Sequence, residues 1–181
     1  MIDGGEGQNR LVLDSNSTTQ YQMSNIQTLL LNGEGGHAAT FSARDVQGLE
    51  TIALANGYNV DTAVVHLGAQ DISLNVLGVA GGAITLDHSG VSVVDVTPEA
   101  DAENTQTTTV LTLTNAAALD LNVAEGSDYH GNITANKAQS LEAAVAGQVN
   151  NQITATAATS AVFNLQNADD VSAVDLQANK L

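Results

Sequence analysis

Two oxygen-rich stretches carry the side chains best suited to chemistry. Residues 3–12 read Asp-Gly-Gly-Glu-Gly-Gln-Asn-Arg-Leu-Val and match the calcium-binding nonapeptide Gly-Gly-x-Gly-x-Asp-x-U-x at every fixed position except one, where Asn9 replaces the aspartate. In that motif the glycines turn main-chain carbonyls toward the ion, and asparagine keeps a ligand oxygen but loses the charge. The pattern predicts a calcium site of weakened affinity at Asp3, Gly4, Glu6, Gly7 and Asn9, with a plain glycine-rich turn as the alternative.

The second stretch is an insertion, residues 97–105, in which three carboxylates alternate with smaller residues. Glu99, Asp101 and Glu103 are able to converge on one cation if the loop curls. A solvated acidic loop is the competing interpretation.

Residue types used in catalysis are present but lack the spacing that catalysis needs. Asp87, His88 and Ser89 are neighbours in sequence, and neighbours on a strand point to opposite faces, so they do not form a nucleophile, base and orienter. The four histidines lack the i, i+4 spacing of a helical zinc site and are predicted to lie on the surface. We therefore assign no catalytic residue and expect a protein that is not an enzyme.

Charge and composition narrow the classes of partner. The chain has 181 residues with 20 Asp and Glu against 4 Lys and Arg, a formal net charge of −16. Nucleic acid is a poor partner for such a surface, whereas divalent cations suit it. Cysteine is absent, which excludes disulfides and thiolate zinc sites, and no apolar run is long enough to span a membrane.

A spaced pair of apolar residues recurs along the chain and predicts the fold. First members of the pairs lie 20 to 30 residues apart, which is a repeat period. An i, i+2 apolar pair is typical of a strand with one face on a core. We therefore predict an all-β protein, a parallel β-solenoid with rungs of roughly 20–30 residues. The pairs are Leu29/Leu31, Ile52/Leu54, Leu74/Val76, Val94/Val96, Leu121/Val123, Ala144/Ala146 and Val174/Leu176.

A second strand is predicted in each unit, between successive pairs. Its copies are residues 38–41, 63–67, 83–86, 110–113, 132–134 and 161–165, with an extra strand at 152–155. Residues 136–147 also suit a helix, because alanines follow an asparagine cap and precede a glycine, although we favour a strand. Residues 1–181 are expected to form a single solenoid domain within a longer protein, since the sequence starts in a glycine loop without a signal peptide and stops just past the last repeat.

Taken together, residues 3–13, 24–29 and 46–52 resemble the calcium-dependent surface-layer proteins and large repeat adhesins that Gram-negative bacteria export by type I secretion. Those proteins also combine a glycine-aspartate calcium loop with Thr-, Ala- and Asn-rich solenoid rungs. The resemblance implies an extracellular location at the cell surface, calcium-dependent order, and lateral assembly with copies of itself.

The sequence thus predicts a structural component of a bacterial surface layer, whose partners are lattice neighbours and the flanking domains of its parent chain. A glycan-binding or adhesive domain is the first alternative. A β-helix polysaccharide lyase or epimerase is disfavoured, because such enzymes hold anionic substrates with aromatic and basic side chains that are scarce here.

Overall fold

The chain is a parallel β-solenoid with rungs of about 22 residues. The computed structural model describes residues 2–14, 23–33, 38–43, 48–98, 105–166 and 173–181. These residues contain nineteen strands and no helix. In chain order the strands are β1 (Ile2–Asp3), β2 (Arg10–Asp14), β3 (Met23–Ser24), β4 (Thr28–Asn32), β5 (Ala38–Ser42), β6 (Thr51–Leu54), β7 (Asn59–His66), β8 (Ile72–Leu77), β9 (Gly81–Asp87), β10 (Val91–Thr97), β11 (Thr105–Thr107), β12 (Val110–Leu113), β13 (Ala118–Val123), β14 (Ser127–Tyr129), β15 (Ile133–Thr134), β16 (Ser140–Val145), β17 (Gln148–Thr154), β18 (Ser160–Leu165) and β19 (Ala173–Gln177).

The first sheet contains eight strands in the order β2-β4-β6-β8-β10-β13-β16-β18, and every pairing in it is parallel. Ile52 pairs with Leu74 in the next strand, and Leu74 pairs with Val94. The second members of these apolar pairs, Leu54, Val76 and Val96, are paired in the same way. The inward side chains therefore stack in two columns along the solenoid axis. Ile52 and Leu74 therefore belong to one core, as the predicted parallel solenoid requires.

The second sheet carries the strands that were predicted between the pairs. It runs β5-β7-β9-β12-β15-β17, with β19 beside β17, and these pairings are also parallel. The short strands β11 and β14 add to it through β17, which lies beside both β14 and β15. Most of the described rungs therefore contribute one strand to each of two sheets, and the core lies between them. Two rungs contribute a pair of short strands to the second sheet, β11 with β12 and β14 with β15, and β1 pairs with β3 in a small sheet of its own.

The core is thin and mostly aliphatic. Ile52, Leu54, Val65 and Leu86 are fully buried. Tyrosine is also used: Tyr58 and Tyr129 rank among the largest fully buried side chains. Tyr129 satisfies its hydroxyl by donating to the Thr109 carbonyl oxygen, 3.0 Å away.

Two of the predicted pairs were placed incorrectly. Leu121 pairs with Ala143 rather than Ala144, so the inward pair of β16 is Ala143/Val145 and the prediction was one residue out of register. Residues 143–146 contain no polar residue, and alternation therefore carries no information there. The pair Val174/Leu176 belongs to β19 in the second sheet, where Leu176 lies beside Ile153.

The strand at 161–165 was predicted in the wrong sheet, because an i, i+2 apolar pair marks a strand of either sheet equally well. Phe163 pairs with Ala143, which makes β18 the last described strand of the first sheet. Residues 152–155 are not an extra strand but overlap β17, a regular member of the second sheet. The favoured strand at 136–147 is confirmed, since β16 occupies this region and no helix forms.

One glycine permits a local irregularity between β7 and β9. The register shifts between Val60 and Ala63, where β7 holds one residue more than β9, as in a β-bulge. Gly82, opposite the shift, has φ of 69°, and a methyl group there would run into the Val60 carbonyl. Glycine meets both requirements because it lacks a Cβ.

Truncating a stacked inward side chain should destabilise the solenoid strongly. Leu74 is 1% exposed and pairs with inward residues on both sides. We expect Leu74→Ala to lower the free energy of unfolding by about 2–5 kcal/mol, measured by chemical denaturation, because the lost contacts leave a cavity.

Leu77 provides a matched control in the same strand. Its side chain is 38% exposed, so Leu77→Ala should change stability by much less. Equal losses from the two variants would contradict a core between the two sheets.

Candidate functional site

The first candidate site is the glycine loop between β1 and β2, which the register holds against the next rung. Ile2 and Asp3 pair with Met23 and Ser24, and the Gly4 amide donates to the Ser24 carbonyl oxygen at 3.0 Å. The turn after β3 therefore lies over the loop, and it brings Asn25 to the predicted site residues.

Asp3 has its carboxylate engaged within this loop. Its Oδ1 accepts from the Gly5 amide at 3.0 Å and from Asn25 Nδ2 at 2.9 Å. The hydrogen bond from Gly5, followed by that from Asn25, lowers the pKa of Asp3 below its usual value. Asp3 is thus anionic at neutral pH and organises the start of the loop.

Asn9 lies at the centre of the loop. Its Nδ2 donates to three main-chain oxygens, those of Asn25 at 2.9 Å, Gly7 at 3.3 Å and Gly5 at 3.4 Å. Gly5 and Gly7 have φ of 74° and 95°, which lets their carbonyls turn inward. We call this arrangement of three carbonyls around the Asn9 amide the Asn9 cradle.

The predicted residues are therefore only partly assembled. Gly4 lies against Asn9 and the Asn25 carbonyl, Gly7 supplies one oxygen of the Asn9 cradle, and Glu6 is exposed. Asn25 was missed, because only the rung-to-rung register brings it to the loop. Glu99, Asp101 and Glu103 lie outside the described residues. Within the described part of the chain, His, Asp and Glu side chains do not gather in a group of three that suits a metal ion.

A second polar cluster lies at the carboxyl end of β9. Nδ1 of His66 lies 3.0 Å from Asp87 Oδ2, and Asn115 Nδ2 donates to Asp87 Oδ1 at 2.9 Å. Asp87, Asn115 and Lys137 border a cavity of about 370 Å³. His66, Asp87 and Asn115 belong to three successive rungs.

His88, the residue that follows β9, is buried with 2% exposure and also borders this cavity. Its Nε2 lies 2.6 Å from Ser92 Oγ and its Nδ1 lies 3.2 Å from the Gln70 carbonyl oxygen. The prediction of a surface histidine was therefore wrong for His88. His130 is partly buried and lies 2.5 Å from Asp128, and His37 lies outside the described residues.

The outward face of the first sheet carries a third feature, a groove of about 350 Å³ that we call the first-sheet groove. Asp95 sits in its wall and accepts hydrogen bonds from Asn122 Nδ2 at 2.9 Å and Ser73 Oγ at 3.2 Å. Ala144 and Ala146 also line the groove. A polar wall beside small apolar residues can accept a ligand with both hydroxyl groups and apolar faces.

Comparisons with known proteins add no identification: no family model, no curated protein and no solved structure matches this chain. None of the described residues forms a helix that is long and apolar enough to cross a membrane.

Buried His88 should make stability depend on pH. Burial lowers its pKa from the ordinary 6.5, while the Gln70 carbonyl and the Asp71 and Asp87 carboxylates act in the opposite direction. The folded chain then binds this proton less readily than the unfolded chain. The contribution of this site is complete above about pH 6.5 and is lost as the pH falls toward the lowered pKa.

Denaturant unfolding from neutral to mildly acidic pH measures this effect. Glutamine cannot take up the proton, so His88→Gln should make the decline in stability at acidic pH shallower. His130→Gln should keep the component of that decline that comes from His88. A decline that is identical in the native chain and in His88→Gln would contradict the assignment.

Proposed function

We propose that this chain is a structural building block of a bacterial surface layer, in which rigid solenoid segments associate through bridging calcium ions. The observation that carries the proposal is that several outward polar side chains form hydrogen bonds to the neighbouring rung. They do not converge on a shared reaction centre.

These rung-to-rung bonds occur on both sheets. Asn32 Nδ2 donates to Asp14 at 3.1 Å, Asn122 to Asp95 at 2.9 Å, and Gln152 Nε2 to Asp175 at 2.9 Å. Each bond adds a side-chain link to the main-chain ladder between adjacent strands and contributes about 1 kcal/mol or less at the surface. Such links favour a stiff rod, which suits a load-bearing or lattice-forming role.

The charge of the chain explains why the proposal includes a cation. Two molecules with a net charge of −16 repel each other on approach. Asp120 and Glu142 even occupy paired positions on adjacent strands, where like charges are unfavourable. Calcium between facing acidic surfaces would offset this repulsion, since carboxylates are its preferred ligands.

The extracellular location is part of the proposal and is supported by the resemblance to type I-secreted surface proteins. Protease treatment of intact cells that produce the protein tests it directly. Loss of the protein from intact cells, with an internal protein protected as control, is the expected result. Protection of both proteins would contradict a surface location.

Calcium should drive association of this chain. Light scattering and negative-stain imaging should show monomers in EDTA and assemblies in millimolar calcium, while sodium chloride of matched ionic strength should not replace calcium. Screening by salt alone weakens repulsion but forms no bridge.

A variant with Asp120→Asn and Glu142→Gln gives a control of the same size and shape. It should need more calcium for association, because two of the carboxylates that would hold bridging ions are removed. Association that is equally complete in EDTA, or absent at every calcium concentration, would overturn the lattice proposal.

The first-sheet groove favours a second candidate function, the binding of a neutral glycan. Its wall combines a carboxylate with amides and a hydroxyl, groups that bind sugar hydroxyls, and Asp95 is held in place by two hydrogen bonds. Asn122→Ala should weaken the binding of neutral oligosaccharides in calorimetric titrations by about 10-fold or more, since one good hydrogen bond to a charged group is worth about 1.5–3 kcal/mol.

Gln152→Ala is a suitable control, because Gln152 bonds to Asp175 in the second sheet, away from the groove. It should leave affinity unchanged. No measurable binding of any neutral oligosaccharide by the native chain would exclude the glycan proposal without affecting the lattice proposal.

A further inference from the structure

The Asn9 cradle has the shape of a cation site with a nitrogen at its centre. Three main-chain carbonyl oxygens, from Gly5, Gly7 and Asn25, point to Asn9 Nδ2 at 2.9–3.4 Å. Converging carbonyl oxygens are normally neutralised by a metal ion or by N–H donors. Here the donor is an uncharged amide of the same chain.

The residues of the loop therefore do not fit a bound calcium ion in this arrangement. Calcium would have to occupy the volume that the Asn9 NH₂ group fills, and a donor nitrogen cannot be its ligand. Asp3, a carboxylate of the loop, already accepts two hydrogen bonds through Oδ1. The chemistry of the donor set disagrees with the calcium motif that the glycine spacing predicts.

Hydrogen bonds to the next rung hold the backbone of Asn9 in place. Its main-chain N–H donates to the side-chain Oε1 of Gln27 at 2.8 Å, and its main-chain carbonyl oxygen accepts from the main-chain N–H groups of Gln27 and Thr28 at 3.0 and 3.1 Å. Asn25 has φ of 56°, an unusual left-handed conformation that asparagine tolerates well. The Asn9 side chain is thus anchored at the point where the three carbonyls meet.

Aspartate at position 9 would reverse the electrostatics of the cradle. A carboxylate has nearly the same shape as the amide, but it is an acceptor only. Its oxygens would face three carbonyl oxygens, an arrangement that costs free energy unless a cation sits between them. One atom in the side chain therefore separates a loop closed by its own hydrogen bonds from a loop that needs a metal ion.

We propose that the Asn9 amide takes the place of a divalent cation, so that the first rung closes without calcium, and that residue 9 alone decides whether this loop depends on a metal ion. This inference concerns order within one chain. It is independent of the proposed bridging of separate molecules by calcium.

Hydrogen exchange in the loop tests the proposal, because a loop can open locally without unfolding the whole solenoid. The informative amides are those of Gly4, Gln27 and Thr28, which donate within or across the loop. Exchange is followed by mass spectrometry for the native chain, Asn9→Asp and Asn9→Ala in EDTA, in millimolar calcium and in millimolar magnesium.

In the native chain, protection of these amides should be the same in EDTA and in calcium. In Asn9→Asp, protection should fall at least about 10-fold in EDTA and return in calcium, together with saturable calcium binding in calorimetric titration. Asn9→Ala should lose protection in every condition, because it supplies neither donors nor a ligand. Asn164→Asp, an exposed change of the same chemistry in β18, should leave the first loop calcium-independent.

Two results would overturn the proposal. One is a native chain whose loop amides gain protection with calcium, with stoichiometric binding that Asn9→Ala removes. The other is an Asn9→Asp variant whose protection in EDTA equals that of the native chain. Dilute protein with light scattering in parallel separates these effects from calcium-driven association.

Discussion

Everything in this molecule depends on parallel strands that stay in register from rung to rung. A single rung buries only a few side chains in each sheet, too few to be stable by itself, so each rung is stabilised by its neighbours. A slip of one residue would turn a whole strand inside out. The outward Asp–Asn bonds help to hold this register, whereas the bulge beside Gly82 shifts it by one residue.

Alternation of polar and apolar residues made much of this architecture predictable. In β8 and β10 the inward pairs Leu74/Val76 and Val94/Val96 are flanked by residues such as Asn75 and Asp95, which have a clear preference for solvent. Prediction became wrong where that contrast disappeared, in the alanine-rich strand β16. It also failed near the end of the chain, since an i, i+2 pair marks a strand of either sheet equally well.

The candidate sites were less predictable, because they combine residues from different rungs. The glycine spacing around Gly5 and Gly7 did indicate a loop with inward carbonyls. Sequence reasoning treated Asn9 as a weak oxygen ligand, however, whereas the structure uses its nitrogen as a donor and adds Asn25 from the following rung. The burial of His88 was missed for a similar reason: only the fold shows that Ser92 and the Gln70 carbonyl supply partners that make an inward histidine acceptable.

The parallel arrangement of strands across the axis also determines how the protein carries force. Tension applied along the axis would open the ladders one strand pair at a time, so the load falls on few hydrogen bonds at once. Tension applied along the strands would load all bonds of a ladder together in shear. A solenoid of this kind should therefore resist stretching best in the direction of its strands, and it should yield first between rungs.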